Sequence, residues 1–472
     1  MHLKLISRDI ATALLVAGAL FMEILDATVI TTALPVIAGD FGVPAPHLSI
    51  GVSAYLVAVT LFIPLSGYVA DKFGARTIFI AAIVIFTLAS VLCGLSTTLA
   101  EFTAARVLQG IGGALMVPVG RLVVLRDLPK AQLVRTVAII TWPALSAPLL
   151  GPVLGGYIAT HFSWQWIFYM NAPLGLGAIV ASYYLLNNAK KTVHRFDVKG
   201  FLLTGLGFAA FMAGIEHLAS NMHAITTSAI VITVGLLLMG LATFHIKRAP
   251  SPLFSFSAMQ YRTFRLSLYG GSLVRIALGS APFLIPLMLQ LGMGYSPVEA
   301  GSILLWLFAG NLAIKPATTW IMNTFGFKPV LIANGLFISA GFVALAFIRE
   351  ETPSAAIAAL LFINGMTRSM HLTLLNTIAF ADVPTTEMRD ANTLSAILMQ
   401  MNRGLGITLS ALAVAGAALF IGDTVAQPSL NTFALAMIIM AVLSLISITD
   451  SVMLSKHDGE NLLTKRINNK VE

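Results

Sequence analysis

Fourteen apolar runs divide this chain, and short polar segments separate them. A membrane span needs about 20 apolar residues. On that criterion the runs fall at roughly 9–31, 48–69, 77–98, 101–125, 135–159, 166–187, 198–218, 225–245, 263–290, 299–320, 329–348, 354–376, 392–421 and 431–454. The longest hydrophilic stretches are Asn187–Lys199, His245–Arg262 and the tail from Ser455, none long enough for a soluble domain. The pattern predicts an all-α polytopic membrane protein.

One polar segment is built differently from the others. Gly67-Tyr68-Val69-Ala70-Asp71-Lys72-Phe73-Gly74-Ala75-Arg76 is clamped between the apolar stretches 48–66 and 77–98. A loop this short makes its flanking helices antiparallel neighbours, and its charges must lie at a membrane surface. Gly67 permits close helix approach and Gly74 a tight turn. Asp71 ends one helix with Lys72 and Arg76 within reach. Read alone, it is also what any charged turn between apolar helices looks like.

Composition narrows the class. The 472 residues are 57% hydrophobic and 10% charged, against about 25% charged in soluble domains. The formal charge of +8 has a simpler cause than nucleic acid, namely cations gathered in cytoplasmic segments. With the N-terminus inside, the inner segments hold Lys4, Arg8, Lys72, Arg76, Arg126, Lys130, Arg135, Lys190, Lys191, Arg195, Lys199, Lys247, Arg248, Arg262, Lys328 and Arg389, and the tail adds Lys456, Lys465, Arg466 and Lys470. The outer loops hold Arg349 alone. Both termini are therefore expected in the cytoplasm, and an even number of spans follows. The first run, with Lys4 and Arg8 before it, is read as an uncleaved span because it carries Glu23 and Asp26 and more spans follow. The lone Cys93 excludes a disulfide framework. The nine His form no H-x-x-x-H or H-x-x-H set, and no G-x-x-x-x-G-K-[ST] loop is present. No metal, no cofactor and no enzyme activity are expected.

The Gly67–Arg76 loop resembles the G-x-x-x-D-R/K-x-G-R-R/K loop of the major facilitator superfamily. Four further stretches carry motifs of the same family. Leu25-Asp26-Ala27-Thr28-Val29-Ile30-Thr31-Thr32-Ala33-Leu34-Pro35 is similar to the L-D-x-T-I/V-V-N-x-A-L-P signature of the fourteen-helix drug:proton antiporters, with Thr31 where Asn is usual and Glu23 where Gln is common. Arg106-Val107-Leu108-Gln109-Gly110 resembles R-x-x-Q-G, and Gly151-Pro152-Val153-Leu154-Gly155-Gly156 resembles the G-P-x-x-G-G motif of exporters. Trp164-Gln165-Trp166-Ile167-Phe168-Tyr169-Met170-Asn171-Ala172-Pro173 resembles a run of drug-export members, and is read physically as an aromatic belt at the outer interface.

There is an internal echo: Trp320-Ile321-Met322-Asn323-Thr324-Phe325-Gly326-Phe327-Lys328-Pro329 reads like a degraded copy of the first loop. With the resemblance, it implies the major facilitator fold as two six-helix bundles, 1–187 and 263–455, an inserted helix pair within 188–262, and a cytoplasmic tail at 456–472.

Glu23 and Asp26 lie three apart and share a helix face. Ionisable residues inside a span are functional hypotheses by default, although both acids could simply hold helices together. Arg106 lies at a depth where it could meet Asp26, or it could snorkel to the interface. The resemblance implies that Asp26, Glu23 and Arg106 couple to protons. It gives the gate to Gly67, Asp71, Lys72, Gly74 and Arg76, with Gly151, Pro152, Gly155 and Gly156 as a bent, smooth sliding surface. Weak candidates for the substrate cavity are Phe21, Gln109, Met116, Trp142, Arg275, Lys315, Arg368 and Arg403. The four cations of that set would favour anionic or zwitterionic substrates unless they bond carbonyls or amides such as Asn311, Asn376 and Asn402. The implied function is proton-coupled efflux of drugs or other amphipathic small molecules across the cytoplasmic membrane by alternating access, as a monomer in the lipid bilayer with no nucleic-acid partner. An exporter of an endogenous metabolite, lipid or siderophore is the alternative within transport. A membrane-embedded enzyme or sensor is the alternative from another class.

Overall fold

A computed structural model describes residues 8–125, 133–188, 190, 196–455 and 457–463. Lys4, Arg126, Lys130, Lys191, Arg195, Lys456, Lys465, Arg466 and Lys470 lie outside them, as does most of the tail read at 456–472. The described residues are helical and form no strand. In chain order the helices are α1 (Arg8–Phe41), α2 (Ser49–Phe73), α3 (Ala75–Leu95), α4 (Leu99–Leu125), α5 (Leu133–His161), α6 (Trp166–Tyr169), α7 (Asn171–Leu185), α8 (Val198–Ser220), α9 (Ile225–Ile246), α10 (Arg262–Leu287), α11 (Pro297–Ala313), α12 (Lys315–Phe325), α13 (Phe327–Ala346), α14 (Ser354–Ile378), α15 (Met388–Ile421), α16 (Leu430–Ile446) and α17 (Ile448–Met453).

Helix occupies every one of the fourteen expected places. Eleven of these helices are long and apolar enough to cross a membrane, and the bent pair α11–α12, with 48° between its parts, makes a twelfth. The other two places fall short for visible reasons. The run at 166–187 is broken at Met170 into α6 and the short α7, and α14 carries Asn364, Arg368 and His371 in its apolar run. Large apolar side chains such as Leu88, Leu92, Tyr184, Leu237 and Phe420 cover the outside, as a lipid-facing surface requires.

The packing has two bodies and a bridge. Helices α1–α7 pack chiefly on one another, α10–α17 do the same, and the main contacts between the two groups are α5 on α11 and α2 on α15. Helix α8 rests on both α2 and α15, while α9 packs against α8 at the periphery. Both bodies close their ends alike. Arg8, which opens α1, donates from Nε to the Leu185 carbonyl at the end of α7 (3.0 Å). Arg262, which opens α10, donates to the Met453 carbonyl at the end of α17 (2.7 Å). Each cation satisfies a helix C-terminus that has carbonyls to spare.

The loop echo is also structural. Gly74 (φ 99°) and Gly326 (φ 79°) sit at equivalent joints, ending α2 and α12 and opening the next helix. A side chain would strain such backbone. The ends near Arg8, Gly74, Asp197 and Gly326 define one surface, the loop face; the α1–α2 and α15–α16 connections mark the opposite, far face.

Candidate functional site

A cavity of about 1160 Å³ enters the molecule from the loop face between the two bodies. Tyr68, Asp71, Asp197, Arg389 and Asp390 surround its mouth, and Ile24, Val59, Ile63, Val117 and Met399 give it apolar wall. Glu23, Gly113, Arg121, Gln400 and Arg403 line its interior, so α1, α2 and α4 of one body face α15 of the other.

Glu23 and Asp26 are placed differently although they share a face of α1. Glu23 borders the cavity and accepts a hydrogen bond from Tyr55 Oη at 3.1 Å. Asp26 lies behind the wall with its side chain fully buried. Its Oδ2 accepts from Arg106 Nη1 at 2.8 Å, and its Oδ1 accepts from Gln109 Nε2 at 2.9 Å and Asn171 Nδ2 at 2.8 Å. Ser90 Oγ accepts from both Gln109 (2.7 Å) and Asn171 (2.9 Å). Arg106, also fully buried, lies 4.4 Å from the centre of the Tyr55 ring. Tyr55 thus links the two acids: its hydroxyl bonds Glu23, and its ring carries the cation that pairs with Asp26. This inward Arg106 does not snorkel.

Sequence reading missed three members of this network. Tyr55 has no charge to mark it among apolar neighbours. Ser90 is small and lies in an apolar run. Asn171 lies within the aromatic run read as an outer belt; in the structure Trp164 of that run is buried, with its Nε1 donating to Asp40 at 2.6 Å, and of its aromatic residues only Trp166 is strongly exposed.

The weak substrate candidates scatter. Arg403 lines the cavity, but Phe21, Met116, Trp142 and Gln109 are not in its wall. Met116 is core, Phe21 packs against core, Gln109 serves the Asp26 network, and Trp142 is 71% exposed. Three of the four second-body cations are bonded elsewhere. Arg275 donates to the Ser267 carbonyl (2.8 Å) and Asn376 Oδ1 (3.0 Å), Lys315 to Thr373 Oγ1 (3.0 Å), and Arg368 to the Leu278 carbonyl. The carbonyl-and-amide alternative matches the contacts of Arg275 and Arg368, whereas Lys315 bonds a hydroxyl.

The first loop has no ion pair for Asp71 among the described residues. Lys72 Nζ donates to Tyr68 Oη at 3.3 Å, Arg76 lies over the Tyr183 ring, and the Gly74 turn is closed by Asn188, whose Nδ2 donates to Thr77 Oγ1 at 2.9 Å. Beside it, Asp197 caps α8 and accepts from the Gly200 N–H (2.8 Å), His245 (2.8 Å) and the Leu253 N–H (3.2 Å). Burial works to raise this carboxyl, but those bonds together hold it below its ordinary value.

The far face is shut by the α5 glycines. A Cβ on Gly151 would meet Thr28 and one on Gly155 the Val29 carbonyl, both on α1. One on Gly156 would lie 2.3 Å from the Pro297 carbonyl of α11, and one on Gly301 of α11 would lie 2.2 Å from the Pro152 carbonyl. The Gly-Pro motif therefore does two jobs, packing α5 on α1 within its body and on α11 across the divide.

Comparison with known proteins follows the same lines. The family model described as Major Facilitator Superfamily matches residues 16–411. The chain is 37% identical over 401 residues to the "Putative multidrug resistance protein MdtD" of Citrobacter koseri, covering 84% of each chain. It is 36% identical over 400 residues to the protein of that name from Escherichia coli O9:H4, again covering 84% of each. Among solved structures, a bacterial homolog to the human lysosomal transporter Spinster, in an inward-facing and unoccupied conformation, superposes with a TM-score of 0.68 over 96% of this chain and 98% of that one. At 14% identity that likeness speaks for the fold alone.

Proposed function

The chain belongs to the Major Facilitator Superfamily, and from that premise we propose that this multi-pass membrane protein is a proton-coupled exporter of drugs or similar amphipathic small molecules. It works by alternating access as a single chain in the cytoplasmic membrane, with both termini and the loop face inside. The observation that carries the reading is one cavity, open on the loop face and shut on the far face by α5 on α11, with Glu23 in its wall and the Asp26–Arg106 pair directly behind. The cation excess of the loop-face segments supports the orientation. A cavity enclosed by one chain supports action as a monomer.

The roles follow from placement. Asp26 with three donors around it is arranged as a carboxylate; a carboxylic acid would have to use one oxygen as a donor. This is the proton-free, inward-open form of the cycle. Glu23, one turn before it, borders the cavity, bonds Tyr55 and passes the proton between Asp26 and the cytoplasm. Substrate meets apolar wall together with charges of both signs, which suits amphipathic cations and zwitterions. Rocking then opens the far face as the first loop closes through Asp71 and Arg76.

The test is efflux of a fluorescent drug from proteoliposomes under an imposed pH gradient, with and without a protonophore. Gradient-driven efflux that the protonophore abolishes is expected. Efflux indifferent to both treatments would remove the coupling. Glu23→Gln should lower the gradient-driven rate while leaving drug binding in detergent intact.

A further inference from the structure

The inserted pair α8–α9 has no part in the mechanism so far, yet α8 carries a buried acid. Glu216 lies near the far end of α8, 5% exposed. Its Oε2 accepts from Ser49 Oγ at 2.7 Å, and its Oε1 accepts from Ser53 Oγ at 2.9 Å and Thr408 Oγ1 at 2.6 Å. Ser49 and Ser53 belong to α2 in the first body, whereas Thr408 belongs to α15 in the second. No cation pairs with this carboxylate among the described residues. A cavity of about 180 Å³ reaches it beside His47 and His217 on the far face.

We propose that Glu216 is a clasp of the far-side gate: one carboxylate, delivered by the inserted helix, ties α2 to α15 and must release one of them when the far face opens. The inference rests on the alternating-access reading. A buried acid costs free energy unless its oxygens are satisfied, and here satisfaction is available only while α2 and α15 lie together. Drawing them apart strips hydroxyl donors from the carboxylate and exposes it to water. The inserted pair thereby acts on the gate from outside both bodies, through one side chain. The three hydroxyls stand 2.6–2.9 Å from the carboxylate oxygens, hydrogen-bond contact.

The experiment reads the gate directly. Spin labels replace Leu95 at the far end of α3 and Phe420 near the far end of α15, both exposed, in a Cys93→Ser background. Pulsed electron resonance in nanodiscs, across pH and with or without drug, then reports the far-side distance. Wild type should show a short and a long population. Thr408→Val keeps the shape of the side chain and removes only the α15 arm. It should raise the long population about ten- to a hundredfold, the scale of one hydrogen bond to a charged group. Glu216→Gln should shift it the same way, and Thr408→Val should add little to it. The melting temperature of each variant is measured alongside, because a role confined to seating α8 would lower melting and leave the ratio of populations alone. That result, with two populations in wild type, overturns the clasp by itself. A single fixed distance in wild type under every condition overturns the carrier reading and the clasp with it.

Discussion

Replacing Asp26 by Asn tests the buried network more sharply than it tests coupling. The carboxylate accepts three hydrogen bonds, and its partner Arg106 has no exposed surface. The Asn amide offers one acceptor oxygen in place of two, and Arg106 keeps its charge. What remains for that guanidinium is Gln109 Oε1 at 2.5 Å, a long contact to the Gly51 carbonyl at 3.4 Å and the face of the Tyr55 ring. Breaking a buried pair from one side costs about 3–5 kcal/mol, because the surviving charge has no compensation. Asp26→Asn should therefore melt well below wild type in detergent. Asp26→Asn combined with Arg106→Gln removes both charges and should recover most of the loss, since a buried pair is often worth little relative to neutral replacements. The double variant is the one in which transport is interpretable: correctly folded, it should bind drug but not couple efflux to a pH gradient. An Asp26→Asn protein that melts like wild type would refute the reasoning, as would a double variant no more stable than the single one.

Three other outcomes follow from the geometry. Asp71→Asn should leave melting unchanged, because Asp71 has no ion pair in this state, yet slow efflux, because the closed loop face loses charge-assisted bonds worth about 1.5–3 kcal/mol each; wild-type turnover would make the loop a mere turn. Gly156→Val sets a side chain 2.3 Å from the Pro297 carbonyl and should prop the far face open, read as faster labelling by an impermeant thiol reagent of a cysteine placed at Thr32, which is buried against the Pro152 carbonyl. Asp197 is held below its ordinary carboxyl value of 3.8, so its contribution is present above that value and is lost as pH falls through the lower folded one. Wild-type melting should drop with acid below about pH 4, and Asp197→Asn should start lower and lose that part of the slope.

What could be read from the sequence depended on whether the membrane imposed it. Span positions were legible because hydrocarbon demands about 20 apolar residues in a row, and helix duly occupies each place. The two glycine joints were legible because a positive φ calls for one residue type, and Gly74 and Gly326 supply it. Rotational phase was not legible. A soluble helix shows its buried stripe against a polar face, but here lipid and core are equally apolar, so nothing in the sequence distinguishes core Met116 from exposed Trp142. Partners were illegible for a related reason. Glu216 is bonded to residues 163, 167 and 192 positions away, and a single acid in an inserted span gives no sign of which helices will supply its donors.

The polar interiors of the two bodies suggest a division of labour. The first holds two acids, one cation paired within it and the Tyr55 link between them. The second holds buried Arg275 and Arg368, bonded to carbonyls and an amide, without an acid beside them. Among the described residues no carboxylate pairs with either cation. Asp26, by contrast, is bonded to a cation on another helix of its own body, so movement of α1 against α4 would change its bonding. The acid–cation network thus lies within one body, while the other contributes α11 and α15 as surfaces packed against it. Arg403, the second-body candidate that does line the cavity, donates to Gln400 Oε1 on its own helix at 3.1 Å, so its bond too stays within the second body.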